Sequence, residues 1–337
     1  QISKYIVLDD LDHHLILGDV MLTYEQEQIN TIHFLFVVGE TESGKSTIAH
    51  FFRWLGYRCL YGEDIPNADI YNFLGTDEEG AGTIAEDEAQ EIGVNREKIR
   101  TYKNSYSKGA LKPRIIQTAN SKKQVYYKTF CFKVFAGEKL PDDKGFRERL
   151  AVVHMIEGSP ESNIKRLTED EKKQLLQLRK ALLVYKVQNI ATPLPEVDSG
   201  LSQRDQELWE DFLRVLSNTK YSDISKKVVT YYTKQRHESI WNSIESRIFK
   251  QILCVIDRKY EARFEYFWNY LVNQQDDLSG HLEKETFYPH DYAQKITRNF
   301  LATLFEGKFH AKRRQKYSTD NGKKHKITVY QFDSMVI

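Results

Sequence analysis

Two short stretches of this chain hold residue types that could do phosphate chemistry. The first is Gly39-Glu40-Thr41-Glu42-Ser43-Gly44-Lys45-Ser46-Thr47. Its spacing, Gly-x-x-x-x-Gly-Lys-Ser, is that of a P-loop. The two glycines let the backbone curl so that successive N–H groups point at one phosphate, and a helix N-terminus adds its positive end. Lys45 is placed to reach β- and γ-phosphates, and the Ser46 hydroxyl to hold Mg²⁺. The second stretch is Gly82-Thr83-Ile84-Ala85-Glu86-Asp87-Glu88. A strand ending in Asp-Glu downstream of a P-loop offers Asp87 to Mg²⁺ through its water shell and Glu88 to the attacking water as base. Glu86 stands where a buried strand would ordinarily carry an apolar residue. The implied ligands are ATP and Mg²⁺.

The surrounding pattern supplies elements to hold these residues. His33 to Val38 reads as a buried strand before the loop, and Ser46 to Trp54 as the helix after it. Arg58 to Tyr61 reads as a short strand and Ala68 to Leu74 as a short helix. Glycines at 75, 80 and 82 mark an acidic turn. Residues 91–113 read as helical and then basic. Two β-rich runs follow, Arg114 to Ala119 and Gln124 to Phe130, around the polar turn Asn120-Ser121-Lys122-Lys123. After them come the apolar strand Phe132 to Ala136 and the last strand of the region, up to Met155, led in by Arg147-Glu148-Arg149. Either Arg114–Ala119 or Phe132–Ala136 can serve as the core strand. In the first case Asn120 marks a nucleotide-sensing position. In the second, Lys122 and Lys123 tip a protruding hairpin and Gly137 occupies the sensor's place.

This order of parts resembles an AAA+ ATPase, and most of all the helicase-type ATPases of plasmids, viruses and integrated elements that often follow a primase. The resemblance rests on residues 30–157, with Ser105-Tyr106-Ser107-Lys108-Gly109 standing for a family segment between the Asp-Glu strand and the hairpin. It implies a three-layer α/β P-loop domain assembled as a ring, with six subunits expected. Arg149 matches the position whose guanidinium reaches the neighbouring subunit's γ-phosphate, a task that suits a planar, permanently charged fork. Lys45, Glu88 and Arg149 are then the catalytic set, Gly39 to Thr47 the nucleotide loop, and Ser46 and Asp87 the metal ligands. Lys122 and Lys123 would grip DNA in the ring's pore. Arg204 precedes a Glu-x-Trp helix, as in similar proteins, which suggests phosphate sensing.

The rest of the chain suggests a second binding function. Thr168 to Gln188 is a charged helix in a connector, and residues 201–273 read as helical almost throughout. Asp291 to Phe305 is amphipathic and ends at a Glu-Gly cap signal. Lys308 to Tyr317 is basic and β-compatible, Asp320-Asn321-Gly322 is a tight-turn signature, and Ile327 to Phe332 is a strand. Helix, basic strand, turn and basic strand give the outline of a winged helix, with Lys312, Arg313, Arg314, Lys323 and Lys324 as phosphate contacts.

Global charge excludes little. Forty-nine Lys and Arg face 48 Asp and Glu, a net charge of +1, so any nucleic-acid footprint must be local. Cys59, Cys131 and Cys254 are too scattered for a zinc site or a disulfide framework, which suits a reducing cytoplasm. No apolar run approaches membrane-spanning length, so no membrane partner is expected. The chain opens on Gln1, which suggests a piece of a longer protein.

The sequence thus predicts a lead-in at 1–32, an AAA+ core at 33–157, a connector and helical region at 158–280 and a winged helix at 281–337. The expected function is ATP-driven translocation on, or unwinding of, single-stranded or forked DNA during replication of a mobile element, plasmid or virus, alongside a primase or other replication protein. Two alternatives stay open: a DNA-bound AAA+ loader or transposition regulator that hydrolyses ATP without unwinding, and a DNA-binding regulator whose nucleotide site is structural.

Overall fold

The computed structural model describes the chain except residues 1, 77–80, 94, 119–120, 156–157, 159, 202, 242, 274–279, 290–294, 321–322 and 334–337. It divides into two compact units, Gln1–Lys234 and Gln235–Ile337. The boundary falls inside the stretch read from sequence as connector and helical region.

The first unit is a mixed α/β structure around a parallel sheet. In chain order it contains α1 (Asp10–Tyr24), β1 (Phe34–Val38), α2 (Lys45–Leu55), β2 (Cys59–Glu63), α3 (Asn67–Leu74), β3 (Thr83–Asp87) and α4 (Arg96–Asn104). There follow β4 (Leu111–Thr118), β5 (Ser121–Lys128), β6 (Phe132–Gly137), α5 (Lys144–Arg147), β7 (Leu150–His154), α6 (Glu169–Asn189), α7 (Gln203–Leu216) and α8 (Ser222–Trp241), the last of which crosses the unit boundary.

The five-stranded sheet runs β2-β3-β6-β1-β7 with every pair parallel. Strands covered on both faces read as near-continuous apolar runs, which is why β1 (Phe-Leu-Phe-Val-Val) and β6 are recognisable in the sequence. On one face α2 packs its Ile48, Phe52 and Leu55 stripe, and Phe52 stacks on Phe132 at 5.4 Å. On the other, Tyr102 of α4 and Phe146 of α5 both meet Phe135, at 5.2 and 5.4 Å. Each such ring removed from water contributes about 1.5–3 kcal/mol.

β3 shows how a strand ending in two consecutive acids, Glu86 and Asp87, stays inside. Its side chains alternate, so Asp87 faces α2 while Glu86 faces α4. Glu86 is 1% exposed, and its two oxygens take bonds from Lys98 Nζ and from Tyr102 Oη, the latter at 2.6 Å. Burial pushes the Glu86 carboxyl above its usual pKa, and Lys98 and Tyr102 pull it back.

Residues 1–32 belong to this core. Leu15, Ile16, Val20 and Tyr24 of α1 are buried, and Tyr24 donates to the carbonyl that ends α2, Leu55 O, at 2.8 Å. Buried His33, just before β1, has Asp19 Oδ1 of α1 at 2.9 Å from one ring nitrogen and Leu208 O of α7 at 3.2 Å from the other, and stacks on Trp209 at 4.3 Å.

β6, not β4, lies beside the P-loop strand, so Arg114–Ala119 is no core strand. β4 and β5 form a separate two-stranded antiparallel ribbon whose base rests on α3, with Tyr71 and Tyr127 rings at 5.9 Å. Its last described pair is Thr118 with Ser121. The sequence had placed Lys122 and Lys123 in a four-residue turn; they lie instead in β5, opposite Gln117 and Ile116. Asn120 lies outside the described residues.

The second unit comprises α9 (Ile244–Val255), β8 (Glu261–Arg263), α10 (Phe264–Asn273), β9 (Gly280–Glu283), β10 (Thr286–Pro289), β11 (Ile296–Thr297), α11 (Arg298–Gly307), β12 (Lys312–Asp320) and β13 (Lys323–Gln331). Its strands form two antiparallel sheets, β12-β13-β8 and β11-β10-β9. Phe305 centres an aromatic core, with Phe264, Phe267, Phe309, Tyr330 and Phe332 around it. The amphipathic helix predicted from Asp291 begins at Arg298; residues 291–294 are outside the described set, as is the Asn321-Gly322 turn. No helix among the described residues is long and apolar enough to cross a membrane.

Candidate nucleotide site

In an open α/β sheet, ligands settle beyond the carboxyl ends of the strands, where the connections part to opposite sides. Here β1 lies between β6 and β7, and the loop 39–44 leaves its carboxyl end directly into α2. Both glycines are dictated by geometry. A Cβ on Gly39 would stand 2.4 Å from Ser43 Oγ, and Gly44 has φ +87°, a backbone that L side chains rarely adopt. The amides of Gly44, Lys45 and Ser46 open the helix, where helix geometry provides no carbonyl partners. Ser43 Oγ is buried without a hydrogen bond. Lys45 is 7% exposed, its ammonium held over the loop at 3.3 Å from Glu40 O.

The two sequence motifs meet here. Ser46 Oγ donates to Asp87 Oδ1 at 3.1 Å, so the first turn of α2 and the end of β3 present hard oxygen donors to one point. Glu88 follows in a left-handed conformation, φ +54°, its amide donating to Asp87 Oδ1 at 3.1 Å and its side chain exposed. A left-handed glutamate costs conformational energy, and such positions gather at functional sites.

Sequence reasoning missed several neighbours. Tyr61 Oη of β2 lies 3.2 Å from His50 Nε2. Burial first and then the Asp87 charge push its phenol up to about 12. Burial, Lys165 and Arg53 hold the His50 imidazole below its usual pKa. Glu138, just after β6, accepts from Thr41 at 2.8 Å, while Gly137 O accepts from the Gly39 amide at 3.3 Å. A cleft of about 630 Å³ opens beside the loop, bounded by Glu42 to Thr47 on one side and by Tyr5, Ser162, Asn163 and Lys165 on the other. Those wall residues come from segments read as lead-in and connector, and no local motif marks them.

Arg149 is not part of this cluster. Its carbonyl accepts from the Phe34 amide, at the amino end of β1. The P-loop leaves the other end, five residues or about 16 Å away at strand spacing. Arg149 lies 4.5 Å from the Tyr106 ring centre and donates to Gly145 O, and its Nε is buried without a hydrogen bond. Arg204 approaches the same ring at 4.9 Å and pairs with Glu207 at 2.5 Å. Burial, then the nearby Arg204 charge, lower the Arg149 pKa from the usual arginine value. Asp143, a potential partner of Arg149, pairs with Lys103 at 3.1 Å.

The basic candidates occupy two ribbons. From 111 to 128 the chain has Lys112, Arg114, Lys122, Lys123 and Lys128 and no acid, and Lys122 and Lys123 are exposed. In the second unit, Lys312, Arg313 and Arg314 are exposed on β12, Lys324 is exposed on β13, and Lys323 begins that strand.

No family model and no curated protein matches this chain. Among solved structures it is similar to the A form apo structure of the NrS-1 C-terminal region (TM-score 0.43, 11% identity, 98% of this chain and 78% of that one). It is also similar to the apo structure of NrS-1 C-terminal region 305–718 (TM-score 0.41, 12% identity, the same coverages).

Proposed function

We propose that this chain is an AAA+ ATPase that hydrolyses ATP with Mg²⁺ and uses the turnover to move on, or unwind, DNA during replication, working as a ring that is most simply hexameric. The observation that carries this reading is the 3.1 Å contact between Ser46 and Asp87, because it brings together two stretches that lie 41 residues apart in the sequence. The residues fit the ligands. The cradle excludes a Cβ at Gly39, a helix N-terminus and an ammonium suit polyphosphate, and the oxygen donors suit Mg²⁺. Bound Mg²⁺ would neutralise charge on the β- and γ-phosphate oxygens.

The chain's own groups divide the work. The Gly44 to Ser46 amides and Lys45 bind and orient the phosphates, and Ser46 and Asp87 would hold the metal. Glu88 orients the attacking water and accepts its proton. Arg149 would serve the site of an adjoining subunit, since it stands at the wrong end of its own sheet. The exposed Lys122 and Lys123 ribbon would contact DNA inside the ring. The second unit has helices α9, α10 and α11 with the sheet β12-β13-β8, an arrangement suited to a winged-helix DNA-binding module. Phosphate release with ATP and Mg²⁺, followed by unwinding of a forked duplex, tests the reading. ATP turnover without unwinding would leave an ATPase switch, and no turnover at all would remove the enzyme.

A further inference from the structure

The second unit holds a side chain whose position the core does not explain. Tyr317 is 76% exposed, the highest value among the large apolar side chains described, and it meets no ring and no hydrogen-bond partner among the described residues. It lies on the protruding part of the β12–β13 ribbon, because β8 supports β13 only at Val329 to Gln331. Strand register puts Lys326 directly opposite Tyr317, and the next pair on that face is Thr319 with Lys324. Lys324, Lys326 and Thr319 are all exposed. Toward the base of the ribbon the same face continues with Gln315 and Thr328. One aromatic ring therefore stands on a narrow polar strip beside two ammonium groups.

We propose that Tyr317 is a base-stacking platform for single-stranded nucleic acid, with Lys324 and Lys326 taking the flanking phosphates. The inference rests on reading this unit as a nucleic-acid binder and adds the form of nucleic acid it takes. Residues 312–326 carry seven Lys or Arg and one acid, Asp320, so the ribbon suits a polyanion. A protein or membrane partner would need a contiguous apolar patch, whereas the Tyr317 ring has only Gln, Thr and Lys beside it on its face. Within a duplex each base face is covered by its neighbours. An unpaired base offers a free π face, and stacking on an aromatic ring is the sequence-tolerant way to hold it.

The test is fluorescence anisotropy with the full chain and labelled oligothymidine, the same strand with abasic sites, and a blunt duplex. Replacing Tyr317 by Ala should weaken oligothymidine binding about 5- to 150-fold, the range one lost base–aromatic stack produces, while Tyr317→Phe binds as wild type does. The log–log salt slope should stay unchanged in Tyr317→Ala and flatten by about 0.7 for each of Lys324→Ala and Lys326→Ala. Wild type on the abasic strand should bind no better than Tyr317→Ala does, and the two should bind blunt duplex equally. If wild type binds oligothymidine and Tyr317→Ala matches it, or if the loss is as large on duplex, the stacking role is wrong and the nucleic-acid reading stands. If wild type binds none of the three probes, both fall.

Discussion

Replacing Lys98 by Met would leave the Glu86 carboxylate inside the sheet without its ammonium. Both side chains are 1% exposed, so water cannot take the cation's place. Removing one partner of a buried ion pair costs about 3–5 kcal/mol. In a unit of this size each kcal/mol lowers Tm by about 2–4 °C, so the melt followed by circular dichroism should fall by about 6–20 °C. Burial already raises the Glu86 pKa, and loss of Lys98 raises it further. A carboxyl raised in the folded state is unpenalised below its unfolded pKa, and its penalty grows as pH rises through the folded value. The Tm deficit should therefore be smaller near pH 5 than near pH 8, the lower value lying close to the ordinary carboxylate pKa of about 4.3. Adding Glu86→Gln to Lys98→Met should restore most of the stability, since Tyr102 can still donate to the amide oxygen. ATP binding by this double variant, measured below its melt, should match wild type, because Asp87 faces the other way. A Tm within about 2 °C of wild type, or a deficit equal at both pH values, would refute the account of how β3 stays buried.

Three further outcomes test the site. Lys45→Ala should abolish ATP binding or turnover, whereas Glu88→Gln should bind ATP and trap it; wild-type hydrolysis by Glu88→Gln would show that Glu88 is not the base. Arg149→Ala should leave ATP affinity of isolated subunits intact and cut turnover strongly, by up to about 10³–10⁵. Mixing it with Glu88→Gln subunits should recover activity where a wild-type Arg149 meets a wild-type Glu88, and no recovery in demonstrably mixed rings would count against a role across subunits. Lys122→Ala with Lys123→Ala should keep basal ATPase while losing DNA stimulation, and a silent pair would leave the β4–β5 ribbon without a DNA role.

What could be read from the sequence followed the range of the interactions involved. The P-loop and the Asp-Glu strand end are local, because each needs a fixed backbone path over a few residues, and the fold brings Ser46 and Asp87 into contact. The strand Phe132 to Ala136 was visible because burial on both faces favours apolar residues, here broken only by Lys133. Long-range placement was not visible. Glu86 looked out of register because its partners, Lys98 and Tyr102, belong to a separate element, α4. Tyr5, Ser162, Asn163 and Lys165 line the cleft only because distant segments converge there. Lys122 and Lys123 were read as turn residues because Asn-Ser-Lys-Lys has generic turn chemistry, and strand pairing places both in β5.

The position of Arg149 has a consequence for how activity depends on dilution. A chain whose P-loop and Arg149 stand about 16 Å apart along parallel strands cannot supply both to one bound nucleotide. On the proposed reading, turnover per chain is then not a constant of the enzyme. It should rise with protein concentration and level off once subunits are assembled, as mass action requires for a site shared between copies. Diluted below that point the protein should still bind ATP and yet scarcely hydrolyse it, so an assay at one low concentration would record a competent chain as inactive.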